Sequence, residues 1–195
     1  MRAQAKAQTR ARILAHARSL FAERGFQGTT ISAIAKAAQV SVGSVHAHFE
    51  DKDTLLAFAF HADLDERIAQ GWLRAEDLAD PIERLLAPVT ALLEWYAQDP
   101  ELARDLVSRS LFVKGEARAA FDAQIAGFTA RVAGELHTAQ DCGHIGEDIP
   151  VQLAAHGFMA DYFATLLGGL REDELLVQEL VGQLRALTRL RCGLR

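Results

Sequence analysis

The apolar residues of this 195-residue chain recur at helical spacing along almost its whole length. The sequence lacks the sustained two-residue alternation that indicates strands, and its β-branched residues seldom cluster. Half of the residues are apolar, which is enough to fill a hydrophobic core. The pattern therefore predicts an all-α protein.

Local signals predict where the helices begin and end. The first helix should stop at Gly25, because glycine readily adopts the left-handed backbone that ends a helix. Thr30 and Ser41 are predicted to cap a short second and a short third helix, since their hydroxyls accept hydrogen bonds from free backbone N–H groups. In the third helix, Val45 and Phe49 should point inward. Further helices are predicted over residues 54–72, 81–98, 101–113, 116–140, 151–170 and 172–192.

Charge is distributed unevenly along the chain. The net charge is −5, yet residues 1–60 carry +4 and the remainder carries −9. A basic part joined to an acidic part is typical of a nucleic-acid-binding segment fused to a different domain, although a solvated basic face would give the same pattern. A flexible basic N-terminal tail is a candidate for phosphate or minor-groove contacts; it contains Arg2, Lys6, Arg10 and Arg12.

Motifs that carry chemistry are sparse. Cys142 and Cys192 are too few for a disulfide framework or a structural zinc site. His137, Asp141, Cys142 and His144 cluster in the sequence, either as a metal site or as a polar surface loop. The sequence contains no phosphate-binding glycine loop, no nucleophile motif and no apolar run long enough to span a membrane. We therefore expect a soluble cytoplasmic protein that is not an enzyme and uses no metal or cofactor.

The first three helices have the arrangement of a helix-turn-helix. In this motif the last helix lies in the major groove of DNA and presents its N-terminal residues to the base edges. Ser41 to Ser44, which open the third helix, are small, so this helix end can approach a duplex closely. An ordinary core hairpin with a capping serine is the alternative interpretation of the same spacing.

A set of residues at fixed spacing across the first fifth to quarter of the chain resembles the DNA-binding region of the tetracycline-repressor (TetR/AcrR) family. The matching residues are Ala15, Leu20 to Phe26, Gly28 to Ile31, Ile34, Ala35, Ala38, Val40, Ser41, His48, Phe49, Lys52 and Leu55. The resemblance implies a homodimeric transcription regulator, more often a repressor than an activator. It further implies a helix-turn-helix DNA-binding domain over residues 1–53 and a larger helical ligand-binding and dimerisation domain over residues 54–195.

The resemblance also assigns roles to individual residues of the DNA-binding region. Thr30 and Lys52 are implied phosphate contacts. The residues implied to face the bases, or to lie beside them at the start of the third helix, are Ser32, Ser41, Val42, Gly43, Ser44 and Ala47. His46 replaces the usual tyrosine of the family, and imidazole can make the same phosphate hydrogen bond. Gln39 replaces the usual turn glycine, so a positive φ there would cost about 1 kcal/mol.

Aromatic residues of the C-terminal part predict an apolar cavity for a small molecule. The residues predicted to border it are Tyr96, Arg109, Phe128, Phe158 and Tyr162. Arg109 would pair there with an anionic ligand, or instead with a carboxylate such as Asp105 or Asp161. The alternative is that the aromatic residues are ordinary core.

The last two helices are predicted to form the dimer interface, because their apolar stripe is wider than one core needs. The stripe contains Leu176, Val177, Leu180, Val181, Leu184, Leu187 and Thr188, with Ala154, Gly157, Phe158 and Leu166 from the preceding helix. Two-fold symmetry would place two third helices about one duplex turn apart, ~34 Å or slightly more, on a palindromic operator. The leading alternative is a helical small-molecule-binding protein with a vestigial DNA-binding region.

Overall fold

The computed structural model describes residues 2–193, except for the side chain of Arg2. Over these residues the chain forms nine helices and no strand, in agreement with the predicted all-α class. The helices are α1 (Arg2–Gly28), α2 (Ile31–Ala37), α3 (Val42–His46), α4 (Lys52–Ala75), α5 (Pro81–Tyr96), α6 (Pro100–Ser110), α7 (Gly115–Asp141), α8 (Val151–Gly169) and α9 (Val177–Arg191).

The predicted helix boundaries hold where a local signal sets them. Gly25 interrupts α1 with φ 67° and ψ 176°, so the regular helix ends there as expected. The predicted start of the last helix, at Glu172, is wrong by five residues, because α9 begins at Val177. The chain reverses between α8 and α9, which pack against each other, and this reversal places Leu175 against Gly169. A helix through this segment would prevent that packing.

The chain folds into two compact units that do not follow the order of the sequence. The first unit comprises the residues up to Asp63 together with Glu101–Phe121. The second unit comprises Leu64–Pro100 together with the residues from Asp122 onward. The boundary predicted between residues 53 and 54 separates DNA binding from ligand binding, whereas the two compact units are defined by contacts within the fold. The functional boundary therefore stays a prediction.

The core of the first unit comes from α1 to α4 and from α6. Apolar side chains at helical spacing on each helix are removed from water, which is the main source of its stability. Fully buried members are Ile13, Phe21, Ile34, Val45, Leu55 and Leu106.

The second unit is built around α5, α8 and α9. Pro81 opens α5, and the Asp80 carboxylate before it accepts a hydrogen bond from Ile82 N at 2.8 Å, an arrangement that favours a helix start. The Arg185 guanidinium donates to both carboxylate oxygens of Glu83, at 2.6 and 3.0 Å, which joins α9 to α5. Within the described residues, no helix combines the length and apolar character that crossing a membrane requires.

The apolar stripe assigned to dimerisation belongs mainly to the protein's own core. Leu180, Val181 and Leu184 are buried within the second unit, as are Ala154, Phe158, Leu166 and Thr188. Their assignment to a subunit interface is therefore wrong, because the packing of α9 on α5 and α8 already covers them. A further side of the same two helices, which includes Leu176 and Leu187 of the predicted stripe, remains exposed. Its large apolar side chains are Leu153, Leu167, Leu187 and Leu190, with Leu176 just before α9.

Candidate nucleic-acid interface

Helices α2 and α3 are capped by the two hydroxyls that the sequence predicted. Thr30 Oγ1 accepts a hydrogen bond from Ala33 N at 3.1 Å, and Ser41 Oγ accepts one from Ser44 N at 3.0 Å. Both caps satisfy N–H groups that have no partner inside the helix. Val45 and Phe49 are buried, as predicted, so the opposite side of α3 faces outward.

The turn between α2 and α3 contains the strained residue that the sequence indicated. Gln39 has φ 55°, in the left-handed region that disfavours residues with a Cβ atom. Two backbone hydrogen bonds hold it there, from Gln39 N to Lys36 O at 3.2 Å and from Val40 N to Ala35 O at 3.0 Å. The tight turn is therefore kept in spite of a local conformational cost.

Replacing Gln39 with glycine is expected to raise the free energy of unfolding by about 0.5–1 kcal/mol, because relief of strain exceeds the added entropy of the unfolded chain. The melting temperature should rise by about 1–4 °C. The matched control is Gln178→Gly at an exposed position of α9, where glycine should lower the melting temperature. If Gln39→Gly is as destabilising as the control, the turn is not strained.

The outward side of α3 presents only small side chains and one imidazole. Ser41, Gly43 and Ala47 are exposed, Val42 is 42% exposed, and His46 is exposed at the end of the helix. Ser44 is half-buried, and Ser32 is exposed on α2. A surface without bulky side chains suits close approach to base edges, where serine hydroxyls and a valine methyl are the available contacts. The base-contact roles themselves stay predictions.

Of the three residues predicted to contact phosphates, Thr30 and His46 are exposed and Lys52 is engaged within the protein. The Thr30 hydroxyl accepts from the backbone and keeps its own proton free to donate. Lys52 Nζ donates to Phe26 O at 2.9 Å and to Thr29 O at 3.0 Å. An ammonium has three donors, so one remains for a phosphate. Lys52 therefore stabilises the turn after Gly25, a role that the sequence analysis missed.

The basic N-terminal residues are helical, so the prediction of a flexible tail is wrong for the residues from Arg2 onward; the side chain of Arg2 itself lies outside the described structure. Arg10 packs on the segment between α3 and α4 and on α4 itself, with its Cζ 5.0 Å from the ring centroid of Phe49 and 4.3 Å from that of Phe58. Burial, followed by the charges of Lys6 and Arg10, lowers the pKa of His48 below its usual value. Lys6 and Arg10 therefore form a basic pair near His48, and their four-residue spacing in α1 could have indicated that pair.

Four of the five predicted effector residues belong to the second unit and are buried there: Tyr96, Phe128, Phe158 and Tyr162. Burial raises the pKa of Tyr96 to about 12, and a hydrogen bond with the Tyr162 side chain opposes part of that increase. Burial, with a further contribution from Tyr96, places the pKa of Tyr162 well above its usual value. The structure therefore brings the two hydroxyls together in an apolar interior.

Arg109, the fifth predicted effector residue, belongs to the first unit. Its Nη1 lies 2.9 Å from Asp53 Oδ1 and its Nε lies 3.0 Å from Asp105 Oδ1. Of the two carboxylates suggested by the sequence, Asp105 is thus a partner, whereas Asp161 pairs with Arg191 at 2.7 Å. A role in ligand binding stays a prediction, and such a ligand would compete with two carboxylates.

The sequence cluster considered as a metal site is spread over the end of α7 and the following loop. His137 Nε2 lies 3.8 Å from Asp141 Oδ2, and Cys142 is exposed. Over residues 2–193, no three His, Cys, Asp or Glu side chains lie close enough together to hold a metal ion.

Comparison with known proteins connects this geometry to DNA. Residues 13–58, which contain α2, α3 and the beginning of α4, match the sequence model for "Bacterial regulatory proteins, tetR family". The HTH-type transcriptional repressor Rv1474c of Mycobacterium tuberculosis (strain ATCC 25618 / H37Rv) is 30% identical over 144 residues, which cover 74% of this chain and 73% of the relative.

A second relative and a solved structure extend the comparison. The HTH-type transcriptional regulator HbdR of Aromatoleum sp. (strain CIB) is 37% identical over 84 residues, or 43% of this chain, and the match spans only 37% of that relative's length. The FadR repressor of Thermus thermophilus, solved in complex with lauroyl-CoA, superposes with a TM-score of 0.72 at 27% identity, covering 91% of this chain and 92% of that one.

Proposed function

Because the chain belongs to the TetR family of bacterial transcription regulators, we propose that it is a homodimeric repressor that a small molecule releases from a palindromic DNA operator. The observation that carries the proposal is the outward side of α3, where capped helix geometry and small exposed residues allow entry into a major groove. The cytoplasm, where bacterial DNA lies, is the expected location.

In the proposed complex, α3 reads the bases and residues around it bind phosphates. The base-facing residues are Ser32, Val42, Gly43, Ser44 and Ala47, while Ser41 opens the helix beside them. Thr30, His46 and the remaining donor of Lys52 bind phosphates, and Lys6 and Arg10 add positive charge beside them. Because few of these side chains hydrogen-bond to bases, specificity would depend partly on DNA shape.

The exposed apolar side of α8 and α9 is the proposed dimer interface. Leu153 is 67% exposed, Leu190 is 78% exposed, and Leu167 and Leu187 are each about two-fifths exposed. Apolar side chains repeated along two packed helices indicate a partner surface, because their burial would be favourable. A second copy related by two-fold symmetry would cover the same residues on both subunits.

The proposed effector is an amphipathic molecule whose apolar part enters the second unit beside Tyr96, Phe128, Phe158 and Tyr162. Lauroyl-CoA bound to the Thermus thermophilus relative makes a fatty acyl-CoA the first compound to test. Release requires that the effector bind one of two protein states more tightly than the other. Helix α4 contains residues of both units, so we take its displacement to be the change that alters the spacing of the two DNA-binding regions.

The test is to select a duplex from a random-sequence pool with the purified protein. The affinity of the protein for the selected duplex is then compared with its affinity for a scrambled duplex, by fluorescence anisotropy at several salt concentrations. Strong preference for the selected duplex, and release by lauroyl-CoA, are the expected results. Failure to select any sequence, with equal and steeply salt-dependent binding to both duplexes, would favour the alternative that the DNA-binding region is vestigial.

Replacing Ala47 with glutamate is expected to weaken binding to the selected duplex about 100-fold or more, because a carboxylate on the outward side of α3 would face the negative DNA. The matched control is Ala22→Glu, which makes the same charge change at an exposed position of α1. Similar losses in the two variants would show that net charge, and not the α3 surface, determines binding.

Replacing Lys52 with alanine is expected to lower the melting temperature, since two hydrogen bonds from a charged group to Phe26 and Thr29 are lost. If Lys52 also binds phosphate, the slope of log affinity against log salt should fall by about one unit per subunit. Lys114→Ala, at an exposed position, is the control and should change neither quantity. An unchanged slope with a lowered melting temperature would restrict Lys52 to its structural role.

A further inference from the structure

The ring of Phe26 contacts two cations in the first unit. Phe26 follows directly after Gly25 and is 5% exposed. The Arg109 guanidinium carbon lies 3.6 Å from its ring centroid, and Lys52 Nζ lies 3.9 Å from it. Both distances are well inside the range of favourable cation–π interaction. One aromatic side chain is therefore joined to α6 through Arg109 and to α4 through Lys52.

Arg109 is also joined to α4 by an ion pair. Its Nη1 lies 2.9 Å from Asp53 Oδ1, across 56 residues of sequence, and Asp53 directly follows Lys52. Its Nε lies 3.0 Å from Asp105 Oδ1, one turn earlier in α6. The Asp105 contact stays within α6, whereas the Asp53 contact connects α6 to α4. Arg109 is about one-quarter exposed, so these contacts are only partly screened by water.

The segment that these contacts hold leads directly into the helix-turn-helix. Lys52 binds the carbonyls of Phe26 and Thr29. The hydroxyl of the fully buried Thr29 has one proton to share between Leu20 O at 2.9 Å and Gly25 O at 2.8 Å. The next residue, Thr30, caps α2. The position of Phe26 and Thr29 therefore determines where α2 begins, and α2 with its turn determines the orientation of α3.

We propose that Arg109 is a positioning residue for DNA recognition, which holds α2 and α3 in the orientation that binds a specific sequence by acting on Phe26 and Asp53. Arg109 itself needs no contact with DNA for this role. The inference rests on the proposed function, since it requires sequence-specific DNA binding. It assigns to α6 a part in recognition that lies outside the helix-turn-helix itself.

The experiment compares three substitutions, one that removes a positive charge and two that each remove a negative charge. Arg109→Gln removes a positive charge, whereas Asp53→Asn removes a negative charge and breaks the same connection. Asp105→Asn is the matched control, because it makes the same charge change as Asp53→Asn but leaves the Arg109–Asp53 pair in place. Affinities are measured by anisotropy for the duplex that the wild-type protein selects from a random pool and for a scrambled duplex. Thermal unfolding establishes that each variant is folded at the temperature of the assay.

Both Arg109→Gln and Asp53→Asn should weaken binding to the selected duplex, roughly fivefold or more, while Asp105→Asn stays near the wild type. The ratio of selected to scrambled affinity should fall, because non-specific binding depends on phosphate contacts that these changes leave intact. A merely structural role would lower the active fraction for both duplexes and leave this ratio unchanged.

Three results would overturn the inference. Opposite shifts for Arg109→Gln and Asp53→Asn would show that bulk charge alone acts. Equal losses of affinity for the selected duplex in Asp53→Asn and Asp105→Asn would show that the connection between α6 and α4 does not affect DNA binding. An unchanged ratio of selected to scrambled affinity in all variants would show that it does not affect sequence recognition. Failure of the wild-type protein to select a sequence is a different outcome, which would contradict the proposed function itself.

Discussion

Replacing Gly71 with alanine is expected to destabilise the protein by about 3 kcal/mol or more, the largest single-residue effect on stability that we anticipate. Gly71 is buried in α4, and an added Cβ would overlap Pro88 Cα and lie 2.8 Å from Pro88 N and 2.9 Å from Ala87 O of α5. These are backbone atoms, so no side-chain rotation can relieve the overlap. The two helices would have to move apart and leave their contacting side chains poorly packed.

The measurement is thermal unfolding followed by circular dichroism, with an expected fall in melting temperature of about 6–12 °C. Gly127→Ala is the matched control, because Gly127 lies inside α7 and an added Cβ there would meet no atom within 4 Å beyond its own stretch of helix backbone. Alanine at that position should stabilise by up to about 1 kcal/mol, since it favours the helix more than glycine does. Equal melting temperatures for the two variants would show that α4 and α5 are not in such close contact.

Replacing Leu187 with glutamate is expected to convert the proposed dimer into a monomer. Leu187 lies on the exposed side of α9 near Leu190, and a charge placed in an apolar interface would be removed from water without a partner. A monomer binds only one half of a palindromic operator, so the affinity for the selected duplex should fall by about 10²–10⁴.

Sedimentation velocity of the variant and the wild-type protein checks this expectation directly. The control is Leu73→Glu, which places the same charge at a 66% exposed leucine of α4, a helix outside the proposed interface. The control should remain dimeric. A dimeric Leu187→Glu variant would move the interface to another surface, and dissociation of both variants would indicate a general effect of the added charge.

The parts of the DNA-binding region that were predicted correctly depend on neighbours in the sequence. A capping hydroxyl and the N–H that it binds are three residues apart in both Thr30 and Ser41, so the sequence alone contains the whole interaction. Gly25 ends the regular part of α1 for a similar reason, because its left-handed backbone needs only the absence of a Cβ atom. The positive φ of Gln39 was also expected, although that expectation came from the family resemblance.

Helical periodicity identified which residues share a face of a helix, but not which neighbour covers that face. Leu180 and Leu184 lie on an apolar side of α9, as the spacing indicated, yet α5 and α8 of the same chain bury them. Of the predicted stripe, Leu176 and Leu187 remain exposed for a partner, together with Leu190, which the prediction did not include. Only the packing of the helices distinguishes a core face from an interface, because both consist of apolar side chains.

The sequence by itself thus determined the all-α class, the caps of α2 and α3 and the outward-facing residues of α3, since each depends on contacts within a few residues. Only the tertiary structure showed that Lys52 contacts Phe26 and that Arg109 contacts Asp53. Their partners Phe26 and Asp53 are 26 and 56 residues away, respectively. A long cationic side chain reaches a phosphate, a carboxylate or a carbonyl equally well, so its partner is set by whichever group folding brings within hydrogen-bond distance.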